Sequence, residues 1–266
     1  MQSWQGVIGI IAILLMAVLV STNRRAIRLR VVAAALTLQA ALAALVLYLP
    51  AGRGALSAMS DGVQALINFS GAGIAMVFGP LASEVGFSFA INVLPIIIFF
   101  SALMSVLYHI GVMQPIVAWG GGALRFLLGT GRVESLTAAA NVFLGQTEAP
   151  LVVRPYLPHV SRAQLFAIMA TGMASVSGSV LAAYAQMGID LNYLLAASFM
   201  SAPGGLLMAK IIMPDDKETP RVRGDAAMPA AGDEELAPEK RDGPGLGEAE
   251  QTRHANVIMA AAHGAQ

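Results

Sequence analysis

Residues 141–158, Asn-Val-Phe-Leu-Gly-Gln-Thr-Glu-Ala-Pro-Leu-Val-Val-Arg-Pro-Tyr-Leu-Pro, set a carboxylate among amides and hydroxyls inside an otherwise oily chain. Gln146, Thr147 and Glu148 together offer amide donors and acceptors, a hydroxyl, and a carboxylate able to accept two or more hydrogen bonds. That set suits a neutral, heteroatom-rich ligand such as a nucleobase and is a poor host for an anion. Gly145 and Pro150 end the two short helices on either side, and the freed backbone groups become ligands as well. A carboxylate at membrane depth costs several kcal/mol unless it is paired or faces a wet cavity, so its default reading is a functional site. The competing reading is structural, with Glu148 paired to Arg154 or Arg162 and merely pinning the hairpin.

A second group of residues points to a cation. Asn141 lies one turn before Leu144, and both precede the break at Gly145. A side-chain oxygen from Asn141, a freed carbonyl near Leu144 and an oxygen from Ser175 or its backbone make an all-oxygen shell for a hard cation. The C-terminal end of a half-helix favours positive charge through its dipole, and sodium fits this description. Taken alone, an asparagine such as Asn141 is more often an amide packing one helix on another than an ion ligand. The histidines carry less. His109 ends an apolar span, His159 sits on a loop, and His254 and His263 lie in the tail. No H-x-x-x-H or H-E-x-x-H pattern exists, and no serine has the G-x-S-x-G setting, so nothing supports an enzyme.

The elements that must position these residues are membrane helices. The chain is 56% hydrophobic and 12% charged, with a mean hydropathy of +0.68, far from a water-soluble domain. Its zero net charge hides an uneven distribution. Residues 1–213 hold ten Lys and Arg against five acids, and residues 214–266 hold six against eleven. Neither part offers a basic, aromatic-rich surface for nucleic acid. The absence of cysteine rules out disulfides and thiolate metal sites.

A span needs about 20 mostly apolar residues, and residues 3–22, 31–49 and 90–112 each supply one. The first lacks a basic stretch before it and a cleavage site after it, so it reads as a retained helix rather than a signal peptide. Arg24, Arg25, Arg28 and Arg30 place the first loop in the cytoplasm and the N-terminus outside. Apolar residues between about 55 and 80, interspersed with Asp61, Gln64, Asn68 and Ser70, predict an amphipathic helix in the outer interface or a loop packed on the domain. Residues 113–132, with Trp119 at headgroup level, predict a cytoplasmic interfacial helix. The segment 133–158 has halves too short to cross and cytoplasmic-type charge at both ends, which predicts a re-entrant hairpin, tolerated only where it is buried in protein or lines a cavity. Residues 163–188 and 193–213 complete five spans. The first carries Thr171, Gly172, Ser175, Ser177, Gly178 and Ser179 mid-span, where close packing or unwinding is easiest, and the second carries a kink at Pro203. Residues 214–254 read as a disordered cytoplasmic linker, and 255–266 as the start of a further helix.

Gly145-Gln146-Thr147-Glu148-Ala149-Pro150 resembles the hairpin signature of the concentrative nucleoside transporter family. The likeness continues through Asn92 to Ser101, Met169 to Tyr184 and Leu195 to Pro203, and through Asn256-Val257-Ile258 at the end. The resemblance implies a homotrimeric plasma-membrane carrier, in bacteria an inner-membrane one, that moves nucleosides on a sodium or proton gradient by an elevator-like motion. It implies that Gln146, Thr147 and Glu148 face the nucleobase, with Gly145 and Val180 lining the pocket. It also implies that Asn141, Leu144, Ser175 and Val176 surround sodium, Leu144 and Val176 through their carbonyls; Asn141 and Ser175 fit the sodium-coupled pattern, with protons the alternative. Family members have a second, inverted half with another re-entrant hairpin, which is missing here. The chain therefore reads as half of an inverted-repeat transporter fold, an N-terminal portion holding part of the site. Two other functions remain open: a non-transporting assembly or regulatory partner, and an ion-coupled carrier of another neutral polar solute.

Overall fold

The computed structural model describes residues 2–81, 88–146, 148–215 and 256–265. Among the described residues every regular element is helical. They are α1 (Gln2–Val20), α2 (Leu29–Leu47), α3 (Pro50–Phe78), α4 (Leu94–Ile110, entered through a π-turn over Phe89–Val93), α5 (Met113–Leu128), α6 (Arg132–Ala140), a 3-10 helix (Ala149–His159), α7 (Arg162–Met173), α8 (Gly178–Gln186), α9 (Leu191–Ile212) and α10 (Val257–Gly264).

Among the described residues five segments are long and apolar enough to cross a bilayer: Leu29–Val46, Pro50–Phe78, Phe89–Ile110, Arg162–Gln186 and Leu191–Ile212. The chain is thus an all-helical polytopic membrane protein. Their membership differs from the sequence reading in one respect. Gln5–Val20 is the apolar stretch of α1, which as a whole runs 19 residues from Gln2, about 28 Å at ~1.5 Å per residue, whereas α3, with Pro50 in its first turn, runs 29 residues. Length alone does not orient α3. Gly52, Leu56, Ser60, Ile67, Ser70 and Ile74 form its buried row, packed on α2, α4 and α9, while Asp61, Gln64 and Asn68 are exposed. Asp61 lies about 17 Å along the helix at ~1.5 Å per residue, where a lipid-facing carboxylate is strongly disfavoured. That argues for α3 lying along the interface.

α9 is the axis of the fold and packs on α1, α2, α3, α6, α7 and α8. One half of its surface joins Ala17, Ala35, Leu128, Ala138 and Ala167 in an apolar cluster around Ala202, Leu206 and Leu207. Nearer its N-terminus, Leu191, Leu195 and Ala196 pack with Ile67, Ile96, Phe100 and Leu181. Small residues set the closest approaches, as they do where lipid rather than water surrounds helices. A Cβ on Gly205 would stand 2.9 Å from Thr171 Cα, and one on Gly121 would stand 2.8 Å from Leu136 Cα. The helix continues through Pro203, where a kink was expected, and the Gln39 amide donates to the Met200 carbonyl at 3.2 Å. Ile8, Met16, Leu19 and Val20 of α1 are exposed, a face suited to lipid.

α5 buries Met113, Val117, Gly121 and Leu128, packs chiefly on α6, and leaves Trp119 and Phe126 exposed. α10 docks on α4, with the Ser105 hydroxyl donating to the Ala260 carbonyl at 2.7 Å. Most of the expected linker, residues 216–254, lies outside the described residues.

Candidate functional site: two interrupted helices that cross

α6 begins after Gly131, whose N–H donates to Glu134 Oε1 at 2.6 Å, and ends at Asn141. The chain then turns through 141–146 and returns as the 3-10 helix, which packs back on α6. Two short helices were expected here. The return arm is 3-10, because Pro150, Pro155 and Pro158 remove three amide donors within one 11-residue stretch. So long a 3-10 run is uncommon and often marks a functional hinge. Ala140, Leu144 and Ala149 anchor the turn in a cluster with Met113 and Val117.

The second interruption falls where Thr171 to Ser179 predicted close packing or unwinding. α7 ends at Met173, residues 174–177 are non-helical, and α8 starts at Gly178, with the Ser177 hydroxyl accepting from the Val180 N–H at 3.3 Å. Four bonds tie these segments together, the longest from the Asn141 amide nitrogen to the Gly172 carbonyl at 3.4 Å. The Gly178 N–H donates to the Phe143 carbonyl at 3.0 Å. The Ser175 hydroxyl donates to the Asn141 carbonyl at 3.1 Å. The Asn141 amide nitrogen donates to the Thr171 carbonyl at 2.7 Å.

This last bond orients the Asn141 side chain. Its nitrogen is used, and its oxygen is buried without a hydrogen-bond partner among the described residues. A buried, unpaired amide oxygen costs about 1–3 kcal/mol, so it asks for a ligand. The Ser175 hydroxyl reaches the backbone carbonyl of Asn141 itself, and the Val176 carbonyl lies 3.5 Å from that hydroxyl. Leu144 is buried on the same turn. The donor set is neutral oxygen at a helix C-terminus, which fits a hard monovalent cation. The structure therefore brings Asn141 and Ser175 into direct contact, with Val176 and Leu144 adjoining them.

Of the residues expected to face the ligand, Gly145, Gln146 and Glu148 sit at the turn between α6 and the 3-10 helix. Gln146 is exposed, and a Cβ on Gly172 would stand 3.6 Å from Gln146 Cβ. Gly145 accepts through its carbonyl from the N–H groups of Glu148 and Ala149, at 3.1 and 3.0 Å. Glu148 is half-buried, and among the described residues no ion pair joins it to Arg154 or Arg162, both exposed. Thr147 lies outside the described residues. Val180 is half-buried on the first turn of α8, at the second break rather than at the tip.

Two features were not singled out from the sequence. The Tyr108 hydroxyl of α4 is buried without a hydrogen-bond partner and stands within electrostatic reach of Glu148. The only lysine in the first 213 residues, Lys210, is buried on α9 and paired with Glu134 at 2.6 Å. The signal for that pair was present, since a lysine inside an apolar helix requires a counter-charge. Burial pushes the Glu134 carboxyl above its usual range while the Lys210 ammonium pulls it back down.

Residues 8–81 match the family described as "Na+ dependent nucleoside transporter N-terminus". Residues 90–191, which contain both breaks, match the one described as "Nucleoside recognition". The chain belongs to the concentrative nucleoside transporter family. It is 50% identical over 218 residues to the "Nucleoside permease NupC" of Helicobacter pylori, an alignment covering 79% of this chain and 52% of that one. It is 52% identical over 221 residues to an "Uncharacterized transporter" of Haemophilus influenzae, covering 82% and 53%. The structure titled "Structure of CNTnw in an inward-facing substrate-bound state" is similar with a TM-score of 0.83 at 46% identity, covering 100% of this chain and 59% of that one. The chain thus spans about half the length of the bacterial members of the concentrative nucleoside transporter family it matches. Those relatives are permeases and transporters rather than enzymes.

Proposed function

We propose that this chain carries the nucleobase-facing hairpin and part of the cation site of a sodium-coupled nucleoside carrier. The observation that carries the reading is the Asn141 oxygen, buried and unpaired among the described residues, where the turn after α6 meets the α7–α8 break. Gln146, Thr147 and Glu148 bind the base edge, Glu148 accepting its N–H groups, while Gly145 and Val180 shape the pocket. Asn141 and Ser175 supply side-chain oxygens to sodium, and Leu144 and Val176 supply carbonyls. Bound sodium neutralises the converging oxygen dipoles, so the hairpin turn and the α7–α8 break hold one another in place. Binding of the ion then organises the tip that binds the base, which is the coupling a symporter needs. Protons are the alternative coupling ion. Topology with the N-terminus outside and the tail cytoplasmic follows from the four arginines after α1; assembly as a homotrimer rests on family membership.

Since inverted-repeat transporters place the site between their halves, this chain supplies one wall of it and is expected to bind but not to drive coupled uptake. Titration calorimetry of uridine into the chain in lipid nanodiscs tests the reading. Saturable binding in sodium that Glu148→Ala weakens at least tenfold is expected. Binding undiminished by that change would overturn the assignment of the tip, and failure of any nucleoside to bind would favour a non-transporting partner.

A further inference from the structure

Glu134 and Lys210 are 1% and 5% exposed, and their 2.6 Å contact joins the first turn of α6 to the last turns of α9. Each partner is fixed from a second side: Glu134 Oε1 accepts the Gly131 N–H at 2.6 Å, and the Lys210 ammonium donates to Asp215 at 2.6 Å. Neither residue is at the hairpin tip, and the proposed function gives neither a role. Stability is a weak reason to keep such a pair, because an apolar pair of similar volume often serves as well. Fixing a register is the best-attested use of buried charge.

The position of Glu134 on its helix says what register that is. Glu134 and Asn141 are seven residues apart, about two turns, so they lie on the same face of α6. Both ends of that face are tied down, Glu134 to α9 and Asn141 to the Thr171 carbonyl of α7. The circuit is closed by α9 itself: Gly205, five residues before Lys210, packs so closely on Thr171 that a Cβ would stand 2.9 Å from Thr171 Cα. α6 meets α9, α9 meets α7, and α7 returns to α6 through Asn141. Sliding α6 along α9 would therefore break either the ion pair or the bond that orients the Asn141 amide.

We propose that the Glu134–Lys210 pair is a positioning device that sets the register of α6 on α9 and thereby holds the unpaired Asn141 oxygen at the cation site. This rests on the sodium reading given above. Neither residue touches the ion; both act through the helix that ends at Asn141.

The test is sodium-specific thermal stabilisation of the 266-residue chain, titrating sodium chloride at constant ionic strength against choline chloride. Glu134→Gln/Lys210→Met removes both charges of the pair and leaves unpartnered only the Asp215 carboxylate, which water can reach, and glutamine retains an acceptor for the Gly131 N–H. The double variant is expected to melt near wild type in choline, with its sodium midpoint raised about tenfold, the lower end of what outer-shell changes do to metal sites. Glu134→Gln alone, a milder change, is expected to raise the midpoint about threefold. A pair that only stabilises the fold would lower melting in both salts and leave the midpoint in place. If wild type responds to sodium and the midpoint is unmoved in both folded variants, the positioning role is overturned while the sodium reading stands. If wild type shows no preference for sodium over choline, the sodium reading fails and takes this role with it.

Discussion

Asn141 illustrates how one side chain can hold two roles that the sequence leaves in competition. Its nitrogen packs one helix on another and its oxygen stays unpaired, so the packing amide and the ion ligand are the same group. Asn141→Ala is expected to abolish sodium-specific thermal stabilisation and to lower stability in choline by about 1–3 kcal/mol, the usual loss when a buried hydrogen-bond partner is removed. Glu148 behaves differently because it is half-buried and no ion pair among the described residues holds it. Glu148→Gln is expected to leave the melting temperature within a degree or so of wild type, consistent with the small effect of changes outside packed or paired sites, while weakening uridine binding about tenfold, the worth of one charge-assisted hydrogen bond. Circular dichroism melts and calorimetry on the same preparations separate the two effects. Most of the candidate site was legible at this scale, because Gly145 to Pro150 is an unusual string in an apolar chain. Tyr108 was not, since a tyrosine at the end of an apolar helix looks interfacial until the turn carrying Glu148 is folded against it.

At the scale of elements, apolar length and breaker residues located most helices to within a few positions, and the small hydroxylic run from Thr171 to Ser179 contained the observed break. What the sequence concealed was which glycines mark contacts rather than bends. Pro203-Gly204-Gly205 reads as a kink alone, and Gly205 is also the place where α9 lies against Thr171. Gly205→Val should therefore force α7 and α9 apart, destabilise the chain by about 1–3 kcal/mol through overpacking, and weaken sodium-specific stabilisation by displacing the Thr171 carbonyl. Thermal melts in sodium and in choline read both effects. The sequence left the type of helix in the return arm unspecified: three prolines leave too few donors for an α-helix, and the chain settles for 3-10 geometry.

For the whole molecule, hydropathy gave the class and the number of spans, but not which apolar helices cross. α3 enters the count of long apolar helices because hydropathy averages over a helix and ignores which face carries the charge. With Asp61, Gln64 and Asn68 in one exposed row, α3 is expected to lie at the interface. A cysteine at Asn68 should react with a membrane-impermeant maleimide in intact vesicles; protection there would place the helix across the bilayer. The larger claim is that two broken helices cross within the lipid layer to hold a polar tip open to water. The lack of native cysteine makes it directly measurable. A single cysteine at Gln146, in chain reconstituted into vesicles, should react with a small charged thiol reagent and should react more slowly when uridine and sodium are both present. A cysteine at that position that never reacts, or reacts at a rate indifferent to both ligands, would contradict the account.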